Sequence, residues 1–555
     1  MPHADTRTTS VAIVGGGPVG LMLALFLDRL GVRSVLFNSE PTTRWHPRGS
    51  THGARTMEHY RRLGLATAIR ALGMPLDHPT DVAYFTRFNG PEIARLRMPS
   101  ANEVLARRAS AEKTDQVPEP IHRANQMQVE RFLFEHAATR PNITLRFGRH
   151  VDAFVQDQNG VTVTASTASA TETWRADYLV GCDGGRSMVR RVLGIGFRGE
   201  TGLEQRYFGG RWFSTYVRVP ELYPRFLGSR RAWQYWTINP DRCTTMIAVN
   251  GRDEFLFRTQ AAVPDGPPDD AAVVDTMRVC TGEDVAVEIL GHAPWTAGVA
   301  LVAEKFADRR VLLAGDAVHL FTPTGGFGMN TGVDDASNLA WKLAALVQGW
   351  GGDGLLASYE IERMPIALRN TDAARRFAVN IGEITVPPAI EKVSVEGRDA
   401  RRVMGEKLST FGDQFGSLGV QLGARYDDSP LIAADGVPPA DSLRDYFPSG
   451  VPGGRAPHVW LDPWHGDGAS LFDRLGTGFT LLRLGTHAPN VGAMVAAADR
   501  LSIPLQVFDI VDDGAWEMYE RDLVLVRPDQ YVAWRGDAVP PAPETLLRRA
   551  AGVSV

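Results

Sequence analysis

A run of glycines near the N-terminus, Gly15-Gly16-Gly17-Pro18-Val19-Gly20, has the spacing that brings a polypeptide backbone close to a phosphate. Side chains at Gly15 and Gly17 would block that approach, and Gly20 would let the following helix pack closely on the preceding strand. The free N–H groups at a helix start carry a partial positive charge that favours an anion. The motif therefore predicts a site for a dinucleotide pyrophosphate, with a plain glycine turn as the alternative.

A predicted βαβ unit positions this turn. Residues 11–14, Val-Ala-Ile-Val, form a β-branched run typical of a buried parallel strand. An apolar pattern at helical spacing follows over residues 19–30, Gly31 ends it, and residues 34–37 predict the next strand. The glycine turn therefore joins a strand to a helix start, which is the setting in which such a motif binds a dinucleotide.

The residues after the second predicted strand bear on ribose binding. In a dinucleotide-binding unit a carboxylate at this position binds ribose hydroxyls. Here Asn38 occupies it, followed by Ser39 and Glu40. Because Asn38 can accept a hydrogen bond through its amide oxygen, we expect it to take the ribose position, with Glu40 as the alternative.

Two more predicted strands each deliver an acid at their carboxyl end. Residues 177–182 run into a turn with Asp183 at its apex. Residues 311–315 run into Asp316, and a glycine-rich turn then opens another helix. The start of that helix supplies N–H donors and about half a positive charge, which suits an anionic group next to Asp316.

These three motifs, in this order and at these separations, resemble the group A flavoprotein monooxygenases, the aromatic hydroxylases with the para-hydroxybenzoate hydroxylase fold. The motifs cover about residues 8–375, and residues 355–365 match the closing helix of that family. Residues 421–430 and 452–458 resemble the branch of phenol hydroxylases and polyketide hydroxylases, whose members carry an added thioredoxin-like domain.

The resemblance implies an α/β fold. It would contain a Rossmann-like FAD-binding domain, an interleaved β-sheet substrate domain and a C-terminal thioredoxin-like domain. In chain order we expect the FAD-binding domain at 1–80, a substrate-domain excursion at 81–105, the FAD-binding domain again at 106–200, the substrate sheet at 201–295, the FAD-binding domain with long helices at 296–415, a linker at 416–457 and the thioredoxin-like domain at 458–555.

The resemblance also assigns roles in binding FAD. The first glycine turn would receive the pyrophosphate, Gln126 would contact the flavin side chain, and Asp316 would bind the ribityl hydroxyls. Either Arg44 or Arg48 would pair with the phosphates, and Asp183 would contact the nucleotides or hold its own turn. NADPH or NADH would bind transiently, because no second strand–G-x-G-x-x-G–helix unit follows. The expected cofactor-binding residues are Gly15, Gly17, Pro18, Val19, Gly20, Asn38, Ser39, Arg48, Gln126, Asp183, Asp316, Gly326, Gly328, Met329 and Asn330.

An aromatic-rich stretch is expected to form the substrate pocket. Ten aromatic residues fall in the thirty positions from Tyr207 to Trp236, where the chain average of 9% gives about three. Runs of strand composition indicate a separate sheet, and an aromatic core is an equal alternative for any single side chain. The expected pocket residues are Trp212, Tyr216, Trp233 and Tyr235.

Hydroxylation of a phenol needs a base, or a hydrogen-bond acceptor, that shifts the phenol towards phenolate. We expect Tyr235 to serve, with His52 and Arg231 as the next candidates. Ser50 stands where phenol hydroxylases have an acid, so this chain departs from them there. By resemblance, Pro323 would lie beside the reactive edge of the flavin.

The sequence therefore predicts an FAD-dependent monooxygenase that hydroxylates a phenolic or polycyclic aromatic compound with NAD(P)H and O2. As the resemblance implies, NAD(P)H reduces the flavin, oxygen forms a C4a-hydroperoxide in a water-excluded pocket, and the ring attacks its distal oxygen. Baeyer–Villiger or epoxidising oxygenation on the same scaffold is an alternative. A non-catalytic protein that binds flavin and aromatic compounds is an alternative of another class.

Composition excludes several other classes of protein. The 555 residues carry 59 basic and 64 acidic side chains, and this net charge of −5 gives no footprint for nucleic acid. The three cysteines have no metal-ligand or disulfide spacing, and the last 275 residues contain none, so the final domain is expected to be redox-silent. No apolar run reaches 20 residues. We expect no metal site, no membrane span, a cytoplasmic location and small-molecule partners, with a homodimer left open.

Overall fold

The computed structural model describes residues 6–202, 212–260, 268–295, 298–382, 384–462 and 465–554. Helices and strands alternate along most of this length, so the predicted α/β class is confirmed. Within these ranges, no helix is long and apolar enough to cross a membrane.

The first part of the chain, through residue 202, contributes strands and helices in alternation. Its strands are β1 (Arg7–Val14), β2 (Ser34–Asn38), β3 (Thr51–His52), β4 (Val82–Phe85), β5 (Glu92–Leu96), β6 (His122–Arg123), β7 (Ile143–Phe147), β8 (His150–Gln156), β9 (Val161–Ser166), β10 (Thr171–Gly181) and β11 (Phe197–Glu200). Its helices are α1 (Pro18–Arg29), α2 (Ala54–Arg62), α3 (Ala66–Arg70), α4 (Ala101–Ala109), α5 (Gln126–Ala137) and α6 (Met188–Val192).

The middle of the chain is richer in strands. These are β12 (Trp212–Arg218), β13 (Gln234–Ile238), β14 (Cys243–Ala248), β15 (Glu254–Gln260), β16 (Glu288–Trp295), β17 (Ala300–Ala303), β18 (Ala307–Asp308), β19 (Val311–Leu313) and β20 (His319–Leu320). The helices of this part are α7 (Asp270–Thr281), α8 (Phe327–Val347) and α9 (Gly354–Gly382), with short 3-10 turns at Gly315–Ala317 and Thr324–Gly326.

The last part of the chain carries mostly short helices and one small sheet. Its helices are α10 (Val395–Ser409), α11 (Asp413–Gly416), α12 (Leu418–Leu422), α13 (Leu471–Arg474), α14 (Gly492–Leu501), α15 (Asp513–Tyr519) and α16 (Pro543–Ala550). Its strands are β21 (Phe479–Leu484), β22 (Leu505–Ile510), β23 (Leu523–Val526) and β24 (Val532–Gly536).

The main sheet sets the geometry of the functional site. Its strands follow the order β18–β19–β10–β1–β2–β7, with β9 and β8 added beside β10. The parallel register places Val14 at the end of β1 opposite both Phe37 and Gly181. Gly181 in turn lies opposite Leu313 of β19. Because these four strands end at the same level, the turns that follow them meet at one edge of the sheet, where open α/β sheets bind ligands.

Capping and a short strand pair decide the local structure of two segments. The polar, proline-containing segment 100–120 contains α4. Ser100 and Glu103 form a capping box, each side chain bonding the backbone N–H of the other, and this Ser-x-x-Glu pattern is a sequence signature of a helix start. Helix α2 begins at Ala54, because the two residues of β3 before it pair with β6 as a short strand.

A second sheet lies on the other side of the site. Its order is β16–β12–β15–β14–β13–β4–β5, and of these neighbours only β13 and β4 run parallel. The aromatic stretch recognised in the sequence supplies β12 and β13. Because β4 and β5 come from the first hundred residues and the other strands from residues 212–295, this sheet is interleaved in sequence with the main one.

The C-terminal part packs closely on the rest of the chain. Its sheet has the order β22–β21–β23–β24, with β21 and β22 parallel and the other neighbours antiparallel. This order supports the thioredoxin-like assignment, which stays a prediction, as do the domain boundaries. The segment expected as a linker is packed rather than extended, since Tyr426, Leu431 and Arg455 are each 2% exposed.

A buried ion network joins α8 and α9 to this C-terminal part. Glu362 on α9 accepts hydrogen bonds from Lys342 Nζ at 2.7 Å and from both terminal nitrogens of Arg527 at 2.6 and 2.9 Å. Ser429 donates to the same carboxylate at 2.6 Å, and Arg527 also pairs with Asp529. The fully buried carboxylate of Glu362 therefore neutralises much of the positive charge of two cations, Lys342 and Arg527.

The three cysteines lie inside the protein. Cys280 is buried, and Cys182 and Cys243 are half-buried, all as free thiols. Burial raises the pKa of each thiol, that of Cys243 to about 11. All three are therefore protonated at neutral pH.

Candidate active site

A cleft of about 1530 Å³ opens at the carboxyl edge of the main sheet. The ends of β1, β2, β10 and β19 bring Gly15, Asn38, Asp183 and Asp316 to it from distant parts of the sequence. The predicted cofactor-binding residues that line the cleft are Gly15, Gly17, Pro18, Val19, Asn38, Ser39, Arg48, Gln126, Asp183, Asp316 and Met329.

The glycine turn forms a cradle for a ligand. Gly15 has φ +115°, and a Cβ there would lie 2.2 Å from the Cys182 carbonyl oxygen. A Cβ at Gly20 would lie 2.0 Å from the Gly15 carbonyl oxygen, so these two glycines are required by the protein itself. Gly17 differs, because no described atom lies within 4 Å of its Cβ position. The space in front of Gly17, at the start of α1, therefore fits a pyrophosphate.

The cleft carries both signs of charge, and this set of groups fits FAD. Asp316 is exposed in the cleft, while desolvation by the surrounding protein raises the pKa of its carboxyl. Burial likewise raises the pKa of Glu130, which accepts a hydrogen bond from Gln126. Guanidinium groups suit two phosphates, and a carboxylate suits the hydroxyls of a ribityl chain. The arginines that line the cleft are Arg44, Arg48, Arg149, Arg186 and Arg191.

Asn38 orders the glycine turn from the neighbouring strand. Its amide oxygen accepts the Gly16 N–H at 3.1 Å, and its amide nitrogen donates to the Glu40 carbonyl oxygen at 3.1 Å. Much of its hydrogen-bonding capacity is thus used within the protein. A ribose contact by Asn38 stays a prediction.

The carboxylate of Asp183 stabilises the turn in which it lies, which is the structural alternative considered from the sequence. Its carboxylate accepts the Met188 N–H at 2.7 Å and the Val189 N–H at 3.1 Å, together with the Ser187 hydroxyl. These contacts satisfy N–H groups at the start of α6. Asp183 lines the cleft, but three protein donors already occupy its oxygens.

The turn before α8 borders the cleft. Gly325 and Gly326 have φ of +80° and +68°, the left-handed region that favours glycine. A Cβ at Gly328 would lie 3.9 Å from Asp316 Oδ1, which places this first turn of α8 next to the acid. The predicted juxtaposition of Asp316 with a glycine-rich helix start is therefore present.

The side chain of Asn330 is used within the protein, and its predicted contact with the cofactor stays a prediction. Its side-chain oxygen accepts the Gly53 N–H at 2.8 Å and the Thr56 hydroxyl at 2.6 Å. Its side-chain nitrogen donates to the carbonyl oxygens of Thr51 and Gly326 at 3.0 and 2.6 Å. Because all four bonds go to the protein, Asn330 fixes the start of α2 against the start of α8.

A second cavity of about 580 Å³ adjoins the cleft, and Arg48 lines both. The second sheet forms one wall, and the turn before α8 forms another. Trp233 closes one side, with its indole N–H donating to Ser50 Oγ at 3.1 Å. Its described lining residues are Arg48, Gly49, Ser50, Thr51, Arg123, Trp233, Gln234, Trp236, Ile247, Arg258, Pro323, Thr324, Gly325, Gly326, Gln414 and Phe415.

The second cavity is apolar and aromatic in part, and positively charged. Its described lining includes three arginines and neither a carboxylate nor a histidine. Of the residues predicted for the substrate pocket or for catalysis, Trp233 and Pro323 line it, together with Arg48 and Gly326 from the predicted cofactor-binding set. An aromatic molecule placed here would lie beside the cleft that fits FAD.

Tyr235 points away from this cavity, which corrects the predicted base. Side chains alternate between the two faces of a strand, so Gln234 and Trp236 line the cavity while Tyr235 is fully buried behind them. Its hydroxyl accepts the Ala232 N–H at 2.6 Å and lies 3.4 Å from the Tyr223 hydroxyl. Burial holds the pKa of Tyr235 well above 10, so it is neither within reach of a substrate nor easily ionised.

His52 is a structural histidine. It is fully buried, and its ring nitrogens lie 3.2 Å from the Tyr60 hydroxyl and 3.1 Å from the Ala124 carbonyl oxygen. Burial lowers the pKa of His52 to about 4, so the ring is neutral at pH 7. Its contacts hold the β3–β6 pair against α2, and it does not line either cavity.

The remaining predicted residues also lie away from the cavity. Arg231 is exposed, with its guanidinium carbon 4.7 Å from the centre of the Tyr223 ring. Tyr216 donates its hydroxyl to Glu254 at 2.5 Å; the strand register places Tyr216 on the same face of the second sheet as Arg258, but it is not among the residues that line the cavity. The side chain of Trp212 falls outside the part of the chain that the structure describes.

We expect Tyr235→Phe to keep the activity of the enzyme within about twofold, because the lost hydroxyl faces the core of the second sheet. Losing the bond to the Ala232 N–H should lower the free energy of unfolding by about 1–3 kcal/mol. Substrate-stimulated NAD(P)H oxidation and urea unfolding of the same sample measure both effects. A turnover rate that falls at least 100-fold at unchanged flavin content would restore Tyr235 as the base.

Several residues that line the cavity could not be predicted from the sequence. Arg123 and Arg258 stand in short strands without a motif, and Phe415 lies on a single turn of helix, α11. Gln234 could have been found, since it precedes the predicted pocket residue Tyr235 on a strand whose faces alternate. The alternation of side chains along this strand separates Gln234 from Tyr235, but it does not indicate which of the two faces lines the cavity.

Two protein-family models match this chain, one over its first two thirds and one near its C-terminal end. The model of a family described as "FAD binding domain" matches residues 8–374. A second, described as "aromatic-ring hydroxylase, C-terminal", matches residues 449–553. The C-terminal part therefore has counterparts of its own in other proteins.

Individual proteins are similar over nearly the whole length. The "putative polyketide hydroxylase" of Streptomyces halstedii is 34% identical over 96% of this chain and 94% of its own. The "FAD-dependent monooxygenase apdD" of Emericella nidulans is 32% identical over 97% of this chain and 89% of its own. A structure of RebC soaked with chromopyrrolic acid, with 7-carboxy-K252c bound, has a TM-score of 0.88 and 33% identity over 99% of this chain and 100% of that chain.

Proposed function

The chain belongs to the FAD-dependent aromatic-ring hydroxylases, and from that premise we propose that its two adjoining cavities hold FAD and a fused aromatic substrate for hydroxylation. The resemblance to group A flavoprotein monooxygenases inferred from the three motifs is confirmed. The observation that carries the proposal is the shared wall at Arg48, where the cleft lined by the glycine turn and Asp316 meets the aromatic cavity. The Trp233 and Trp236 side chains in the lining of the second cavity suit a flat fused ring system.

FAD held in the cleft would supply the redox chemistry of a monooxygenase, in which two electrons from NAD(P)H and one O2 give one oxygen atom in the product and one water. The residues of the chain hold it. The N–H groups at the start of α1, in front of Gly17, bind the pyrophosphate, and Asp316 binds the ribityl hydroxyls. The start of α8 supplies partial positive charge next to Asp316, which favours an anionic reduced cofactor.

The substrate cavity contributes positioning and charge. The rings of Trp233 and Trp236 provide flat apolar walls for an aromatic compound and exclude water. No described lining residue is a carboxylate or a histidine, so we propose that a side-chain base does not deprotonate a bound phenol. Instead, the arginine charges lower the pKa of the phenol and favour phenolate electrostatically.

The proposal has a direct test. The purified protein should carry the yellow absorbance of oxidised flavin, and a panel of hydroxylated naphthalenes and anthracenes should stimulate its NAD(P)H oxidation. With ¹⁸O2, mass spectrometry should find one labelled oxygen on a ring carbon. Oxygen inserted next to a carbonyl would favour Baeyer–Villiger chemistry, and flavin binding without any stimulated turnover would favour the non-catalytic alternative.

We also propose the cytoplasm as the location, because the reaction needs a supply of NAD(P)H. A homodimer stays an open prediction. The roles assigned to individual residues in binding FAD and substrate are proposals, as are the domain boundaries.

A further inference from the structure

Arg123, at the end of β6, is a buried cation without an anionic partner among the described residues. It is 4% exposed, and its guanidinium carbon lies 4.1 Å from the centre of the Trp233 ring. One terminal nitrogen donates to the Phe415 carbonyl oxygen at 3.1 Å, and the other to the Thr51 hydroxyl. Its Nε has no described acceptor. The side chain is therefore held in one place by neutral groups alone.

Burial lowers the pKa of Arg123 to about 9, and no carboxylate in the described ranges is close enough to oppose this shift. The guanidinium still carries its charge at pH 7. Two other buried arginines have carboxylate partners: Arg363 pairs with Asp334 and Asp335, and Arg455 pairs with Glu58. A buried charge without a partner is costly, so Arg123 is the group in this region that gains most from an incoming anion.

The position of Arg123 in the cavities gives an anion access to it. Arg123 and Phe415 separate the substrate cavity from a further, mostly apolar cavity of about 650 Å³. The FAD cleft meets the substrate cavity at a different residue, Arg48. The contact with an anion at Arg123 and the boundary with the cofactor at Arg48 therefore involve different residues of the cavity lining.

We propose that Arg123 binds a carboxylate substituent of the aromatic substrate, so that the preferred substrates are aromatic carboxylic acids. This rests on the proposed function and narrows it to a substrate class. The planar guanidinium matches the geometry of a carboxylate better than that of a single phenolate oxygen.

The first test uses the wild-type, flavin-loaded enzyme and two probes, 3-hydroxy-2-naphthoate and 3-hydroxy-2-naphthamide. These differ in charge and hardly in size. Titration followed by the visible absorbance of the flavin should give a Kd at least tenfold lower for the acid at pH 7.5. Equal affinities, or no binding of either probe at millimolar concentration, would overturn the inference.

The same samples keep this inference separate from the proposed function. Equal binding of acid and amide with stimulated NAD(P)H oxidation would sink the role of Arg123 and leave the hydroxylase intact. Selective binding of the acid without any stimulated oxidation would support the carboxylate site and count against turnover.

A substitution series locates the effect. In Arg123→Gln the acid should bind at least tenfold more weakly, while the Kd of the amide and the flavin content stay within twofold. Arg123→Lys keeps the positive charge, so it should recover part of the preference for the acid over the amide. This variant also tests the inference if Arg123→Gln folds poorly. Arg231→Gln, at an exposed arginine that also lies over an aromatic ring, is the matched control and should change neither Kd. Equal weakening of acid and amide in Arg123→Gln would identify a merely structural arginine.

Discussion

Gly17→Val should yield a folded protein that has lost FAD, with the Kd for FAD raised by at least 100-fold. Gly17 has an extended backbone, φ −76° and ψ −177°, which valine adopts without strain. No described atom lies within 4 Å of its Cβ position, so the protein itself has room for the side chain. The isopropyl group would fill the space in front of α1 that the pyrophosphate needs. A 100-fold loss corresponds to about 2.8 kcal/mol of binding free energy.

The measurement is a titration of the apoprotein with FAD, followed by quenching of flavin fluorescence, alongside circular dichroism of both apoproteins. Gly15→Val is the informative contrast, because its Cβ would collide with the Cys182 carbonyl oxygen at 2.2 Å. That variant should fail to fold as well as to bind. Normal FAD affinity in Gly17→Val would remove the cofactor from this turn.

Glu362→Ala should lower the free energy of unfolding by about 3–5 kcal/mol, because it leaves buried cations without their carboxylate. Glu362 is 1% exposed and accepts bonds from both Lys342 and Arg527. Urea unfolding at pH 7.5, followed by circular dichroism, measures the loss. Glu406→Gln is the control, since its pair with Arg402 is solvent-exposed and should change stability by less than about 1 kcal/mol.

The same carboxylate gives a pH dependence with a defined sign. The two cations hold the pKa of Glu362 well below its ordinary value of 4.5. Its contribution is therefore complete above about pH 4.5 and is lost as the pH falls further. The wild type should lose stability on acidification in that range more steeply than Glu362→Gln. Parallel pH profiles for the two proteins would show that Glu362 contributes no such linkage.

Some features of the site were predictable because they depend on local backbone geometry. The glycine turn after β1 and the acid after β19 are each fixed by a strand end and a helix start that are adjacent in sequence. The placement of Gly15 and Asp316 at one edge then follows from parallel strands ending at the same level. Gly15 needs its residue type at +115° whatever surrounds it, so the sequence records that requirement directly.

Other features depend on partners from remote segments. Asn330 stands where a flavin contact was expected, but Thr51, Gly53 and Thr56 take most of its hydrogen bonds, and nothing near Asn330 in sequence reveals them. Tyr235 was placed in the pocket for its chemistry, whereas the face it takes depends on how β13 lies against β4 and β14. Arg123 belongs to no sequence motif. It stands out only in the structure, because no carboxylate among the described residues pairs with it.

The protonated state of the three native thiols has a practical consequence. Only the thiolate reacts quickly with maleimides or disulfide reagents, so Cys182, Cys243 and Cys280 should be slow to label in the folded protein. A cysteine introduced on the surface of the C-terminal part, which has none of its own, would then be the preferred target. The native sequence therefore suits site-specific attachment of a fluorophore or spin label, without prior removal of cysteines.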